Sequence, residues 1–174
     1  MGRIMQLVGL DLSLTSSGVS ISGSTRTVSS KKKGVERLSD LRHQFIQICQ
    51  ESQVTHAIIE GYSFGSRNSQ AHSIGELGGV VRVLLFDLGI PFVEVPPTSR
   101  AKFATGRGNA SKGEVISAIS AKTGRIFAGA GGNDECDAWV LEQMALTKMG
   151  FTEFTWTKEQ VVALDKVDWS ALER

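Results

Sequence analysis

Two aspartates three residues apart, in the stretch GGNDECDAWVL at residues 131–141, are the first candidates for chemistry. On a helix Asp134 and Asp137 share a face, while Glu135 is turned away by about 100°. Acids in a first helical turn are favoured by the macrodipole, and Asn133 or Asp134 would serve as an N-cap. That accounts for one or two acids, not for the spacing. Upstream, Asp11 interrupts the apolar run of MQLVGLDLSLTSSGVSIS, and Glu60 ends THAIIEG. Both should lie at the C-terminal ends of neighbouring strands, the edge where an open α/β sheet binds ligands. If the late helix docks there, four carboxylates converge and cannot all stay ionised without compensating charge. A hard divalent cation with oxygen ligands supplies it, so ions rather than side chains are expected to balance these acids. Two such ions roughly 4 Å apart would clamp the attacking and leaving oxygens of a phosphodiester displacement. Neither histidine nor cysteine stands at useful spacing, which argues against zinc. The competing reading is scattered surface acids.

A basic segment fits the same chemistry. SRAKFATGRGNASKGE interleaves Arg100, Lys102, Arg107 and Lys112 with Gly106, Gly108 and Gly113. Glycines let a backbone approach phosphate, and the cations neutralise it. No GxxxxGK[ST] is present, so a nucleotide cofactor is weakly supported. The net charge of +1 hides an uneven distribution: residues 96–125 carry six basic side chains against Glu114, and residues 126–174 carry nine acidic against four basic. Such a contrast suits a polyanion held beside a cation site, although a solvated surface would read the same way.

The elements that must position these groups follow from periodicity. Residues 5–12 and 19–22 read as strands joined by a Thr/Ser/Gly turn, and a third strand leads into the run Lys31 to Lys33. Apolar residues from Val35 to Gln50 recur at helical spacing. THAIIEG is a short buried strand, followed by a polar loop and a helix from about Asn68 to Leu88 bearing Gly75, Gly78 and Gly79. IPFVEVPP is the next strand. A basic loop then leads to a helix near Ser111–Thr123, and the last long helix runs from Asn133 to about Met149. This order implies an α/β fold with a mixed five-stranded sheet, antiparallel at one edge and flanked by helices. Residues 1–150 form one domain, and the aromatic-rich tail 151–174 is expected to pack back on it.

With 174 residues and 41% hydrophobic content the chain suits one globular domain. No apolar run approaches the roughly 20 residues of a membrane span, and no signal-peptide pattern opens the chain. Cys49 and Cys136 are too few for a disulfide framework and read as reduced thiols in a cytoplasmic protein. His43, His56 and His72 are expected to be ordinary surface or half-buried residues.

The segments GLDLSLTSSGVS, IIEG, VPPTSRAKFATGRGNASKGE and NDECDAWVL, in this order, resemble the RuvC family of Holliday-junction resolving endonucleases, in its bacteriophage branch. The resemblance runs from about residue 5 to 150. It implies an RNase H-like fold and a homodimer that nicks four-way DNA junctions with two Mg²⁺ or Mn²⁺ ions per site, leaving 5′-phosphate and 3′-hydroxyl ends. Asp11, Glu60, Asp134 and Asp137 match the family's catalytic and metal-binding acids, and Lys102 and Lys112 its basic residues near the scissile phosphate. Of these two, Lys112 is favoured to offset charge on the phosphorane. The family places an aromatic after the strand glutamate, against unstacked bases: Phe64 is the candidate if one residue is inserted, and Tyr62 the competitor. Arg67, Arg100 and Arg107 are further expected DNA contacts. The glycine-bearing helix is the candidate dimer interface.

Cellular members usually follow the first aspartate with Pro-Gly, where Leu12 and Ser13 stand here. That departure points to the phage branch and to a wider range of substrates, including forks and Y-shapes. Three other readings remain. A phosphotransferase of the actin/sugar-kinase superfamily uses a similar strand aspartate and hairpin, but needs two such domains. Another RNase H-like nuclease would carry the same acids. A non-catalytic branched-DNA binding module would gain nothing from acids facing phosphate.

Overall fold

The computed structural model describes residues 5–62 and 69–173. The chain opens with β1 (Leu7–Asp11), β2 (Ser17–Ile21) and β3 (Ser24–Val28), an antiparallel meander. Helix α1 (Gly34–Glu51), β4 (His56–Glu60), α2 (Ser69–Asp87) and β5 (Phe92–Val95) follow. Then come α3 (Pro97–Thr105), α4 (Lys112–Thr123), α5 (Gly132–Lys148) and the short α6 (Lys158–Val161), with 3₁₀ turns at Val162–Lys166 and Ser170–Glu173. The sheet order is β3-β2-β1-β4-β5, with β1, β4 and β5 parallel. This is the mixed α/β sheet with an antiparallel edge that the periodicity predicts.

Strand alternation divides the core in two. Val8 and Leu10 of β1, with Ala57 and Ile59 of β4, face Leu41 and Phe45 of α1 and Leu77, Val81 and Leu84 of α2. Leu7, Ile58, Val93 and Val95 face the other way, toward Phe103 of α3, Val115 and Ile119 of α4, and Cys136, Trp139 and Val140 of α5. The same period sends Asp11 and Glu60, the last residues of their strands, to the α5 face.

Two local expectations are corrected. The basic segment is not wholly a loop: its first part is α3. Pro97 stands in the first turn, where its missing N–H costs nothing and its φ is already helical. Gly106, at φ 83°, ends the helix by donating its N–H to the Lys102 carbonyl at 2.7 Å. Nine residues with buried Ala101, Phe103 and Ala104 among charged neighbours are too short to show a period. Nor does Asn133 or Asp134 cap α5. Gly131 is the N-cap, and a Cβ there would collide with Thr27 of β3, so no capping side chain fits.

Aromatic side chains beyond residue 150 meet α3 and α5. Phe103 meets Trp156 at 4.2 Å between ring centroids, and Trp139 meets Phe154 edge-on at 5.5 Å. Lys122 donates to the Thr155 carbonyl at 2.7 Å and lies over the Trp156 ring. Cys49 and Cys136 are buried free thiols, and Cys136 serves the core. Among the described residues no helix is long and apolar enough to cross a membrane.

Candidate active site

The approach of α5 to the sheet decides where two of the acids go. Gly9 and Gly18 face α5 from β1 and β2, and a Cβ on either would collide with the carbonyls of Ala138 and Asp134 respectively. Their bare backbones let the first turns of α5 lie directly over the ends of β1 and β2. Polar contacts hold that placement. Glu142 accepts from Ser20 Oγ at 2.5 Å, and Glu135 accepts from Thr25 Oγ1 at 2.8 Å. Glu135 thus turns toward β3, away from the face shared by Asp134 and Asp137.

The four acids meet at this edge. Asp11 is only 8% exposed and Asp137 only 2%. Burial first, and then the charges of Glu60 and Asp137, push the Asp11 carboxyl well above the usual range. Burial also raises Asp134, against the pull of Lys112 and hydrogen bonds from Asp11 and Ser16. A hydrogen bond thus links the Asp11 and Asp134 carboxyl groups. The Asp137 carboxyl is pushed up to about 6, chiefly by burial, with Arg100 opposing.

Arg100 corrects the expectation that it is a DNA contact. Instead its guanidinium is buried between the acids, Nε donating to Glu60 Oε2 and Nη1 to Asp137 Oδ1. Burial works against its charge, but Glu60 and Asp137 more than offset that, and its pKa stands above the usual value. Sequence spacing could not reveal this, because the residue reaches the edge only through α3, which starts directly after β5.

The oxygen-only donor set suits a hard divalent cation. Yet among the described residues no three His, Cys, Asp or Glu side chains stand grouped as ready-made ligands. With Arg100 holding one oxygen each of Glu60 and Asp137, an ion would take those positions only if the guanidinium yielded them.

Asp11, Glu60 and Asp134 open into a cleft of about 420 Å³, also lined by Ser13, Tyr62 and Lys112. Lys112 Nζ lies 3.9 Å from Asp134 Oδ1. Tyr62, 45% exposed at the rim, is held by a residue that spacing did not single out. Arg82 donates to its hydroxyl at 3.0 Å, lies 4.4 Å from its ring centroid, and is anchored by Glu94 at 2.8 Å. The available signal was a charge interrupting each apolar run, Arg82 in GGVVRVLLF and Glu94 in FVEV. Phe64 and Arg67 lie outside the described residues. Lys102 is half-buried on α3 and does not line the cleft, and Arg107 pairs with Glu114 at 2.5 Å on the surface.

No protein-family model matches the chain. It is 32% identical over 97 residues to a crossover junction endodeoxyribonuclease RuvC of a Synechococcus strain, covering 56% of this chain and 62% of that protein. RuvC of Desulfitobacterium hafniense is 29% identical over 89 residues, 51% of this chain and 54% of that protein. The chain thus spans about three fifths or less of the length of the curated relatives it matches. A structure of Thermus thermophilus RuvC in complex with Holliday junction substrate superposes with a TM-score of 0.65 at 20% identity, covering 87% of this chain and 99% of that one. The yeast mitochondrial Holliday junction resolvase Ydc2 superposes at 0.53 and 11% identity, covering 81% and 77%. In sequence over 97 residues, and in fold over most of its length, the chain is similar to the RuvC crossover junction endodeoxyribonucleases.

Proposed function

We propose that this chain is a divalent-ion-dependent DNA endonuclease that resolves four-way junctions, and acts on other branched DNA, by paired nicks. The observation that carries the reading is the meeting of Asp11, Glu60, Asp134 and Asp137 at one sheet edge, in a fold shared with a RuvC whose structure holds a Holliday junction. Mg²⁺ or Mn²⁺, two per site, would be held by these four acids and would supply an activated water and stabilise the departing 3′ oxygen. Lys112, exposed beside Asp134, would offset charge developing on the phosphorane. Tyr62, braced by Arg82, would stand against an unstacked base.

A two-fold junction needs two cuts, so an isologous dimer suits the task. Helix α2 supports that reading: Gly75, Gly79, Val83 and Phe86 follow one another at helical spacing along one stripe. Among the described residues nothing outside the helix's own backbone lies within 4 Å of where a Cβ would sit on either glycine, and Phe86 is 81% exposed. Buried free thiols and a DNA substrate both suit a cytoplasmic setting.

The test uses end-labelled four-way junction, fork, linear duplex and RNA–DNA hybrid, each with Mg²⁺, Mn²⁺ or EDTA, with light scattering for size. Paired symmetric nicks in the junction, lost in EDTA, from a dimer are expected, with fork cutting alongside. Cutting confined to the hybrid would replace this reading with another RNase H-like nuclease. Tight junction binding without cutting under any ion would replace it with a binding module.

A further inference from the structure

Arg100 is the cation that, among the described residues, pairs with two of the four acids, and its side chain is about nine-tenths buried. Its backbone is set by the turn into α3, where its N–H donates to the Pro96 carbonyl at 3.1 Å. Gly61, just after Glu60, donates to the Val95 carbonyl at 2.8 Å, so the end of β4 that presents Glu60 is tied to the end of β5 that leads into α3 and Arg100. A guanidinium delivers its donors in a fixed fork and matches carboxylate oxygens well. The oxygens it engages belong to the acids proposed above to hold ions, and an oxygen accepting a charge-assisted hydrogen bond is less free to ligate.

We infer that Arg100 is a resident counter-ion of the acid cluster, which must yield Glu60 and Asp137 for a divalent cation to bind, and so sets the ion affinity of the free protein. This rests on the reading that the acids hold ions. Arg100 acts through Glu60 and Asp137, as a positioning residue. It keeps the two carboxylates from repelling each other in the ion-free state, and it opposes ion uptake by the same contacts. Removing one partner of a buried pair leaves the other uncompensated, so without Arg100 the carboxylates gain more from a cation.

The test is Mn²⁺ binding to the full chain without DNA, by calorimetry and by the electron paramagnetic resonance signal of free Mn²⁺. Arg100→Gln is expected to bind at least about tenfold more tightly than the unaltered protein, because the competing charge is gone. Equal or weaker binding by the variant would overturn the inference and leave Arg100 a fixed support, with the ion reading intact. No binding by either protein, with or without junction DNA, would remove the ion reading and the inference with it. Should Arg100→Gln fail to fold, the unaltered protein answers the question through the NMR signal of the Arg100 Nε–H during Mg²⁺ titration. That signal is expected to shift and lose exchange protection over the range in which Mg²⁺ binds. An unchanged signal at saturation would overturn the inference.

Discussion

The two faces of the sheet are built from the same strands and use them in opposite ways. Toward α1 and α2, alternate residues of β1 and β4 are apolar, and Leu77, Val81, Leu84 and Leu85 close over them. Toward α5, the alternate positions of β1 are Leu7, Gly9 and Asp11: an apolar residue, a bare backbone and an acid. The first face is filled by side chains. The second also buries an apolar cluster around Trp139 and Phe103, but over β1 and β2 it adds close backbone approach and polar contacts such as Ser20 with Glu142, and its edge collects four acids and Arg100. Both faces bury apolar side chains, and the first does little else. The other places charged groups where a purely apolar core would not tolerate them.

Changing an acid should separate the faces most sharply. Asp11→Asn is expected to lower junction cleavage at least 1,000-fold, about 4 kcal/mol in the barrier, while leaving junction binding intact. Because burial and neighbouring acids already raise Asp11, the same change should raise the melting temperature of the ion-free protein. A cleavage rate within a few-fold of the unaltered protein would remove Asp11 from the site.

The face toward α1 and α2 should respond in the opposite sense. Leu77→Ala leaves a cavity opposite β1 and should cost about 2–5 kcal/mol in denaturant unfolding, with cleavage nearly unchanged below the melting transition. Gly9→Ala should cost less stability, about 1–3 kcal/mol, yet lower cleavage at least tenfold, because α5 must move and carries Asp134 and Asp137 with it. If the two variants fell together in both assays, the division between faces would be wrong.

The smallest effect is in pH. The Asp137 pKa rises from its ordinary value to about 6 on folding, so the folded protein binds that proton more tightly than the unfolded chain. For a raised acid, stability is greatest below the unfolded value and falls as pH rises through the folded one. In EDTA the melting temperature should therefore climb between pH 7 and pH 5, by roughly 1–3 kcal/mol of stability for this group. Asp137→Asn should flatten that slope. A slope left unchanged by the substitution would place the titrating group elsewhere.

The acid face was legible where its signals were local. Asp134 and Asp137 share a helical face because of their spacing, and Asp11 and Glu60 end strands whose alternation is visible in the chain. α1 was legible from its apolar spacing, and α4 was expected near Ser111–Thr123; the structure adds the Ser111–Glu114 capping box that starts it. What escaped was set by distant partners. Gly131 caps α5 because Thr27 fills the space a side chain would need, and Arg82 braces Tyr62 from 20 residues away.

By itself the sequence determined most of the elements and the inventory of charge: which residues alternate, which long helices form, and which acids end strands or share a helical face. Those follow from backbone periodicity, which acts over a few residues. Only the tertiary structure decided how that edge is balanced. The start of α3 after β5 carries Arg100 between Glu60 and Asp137, 40 and 37 residues away along the chain. Electrostatic compensation depends on distance through space, and no short-range pattern in a sequence records it.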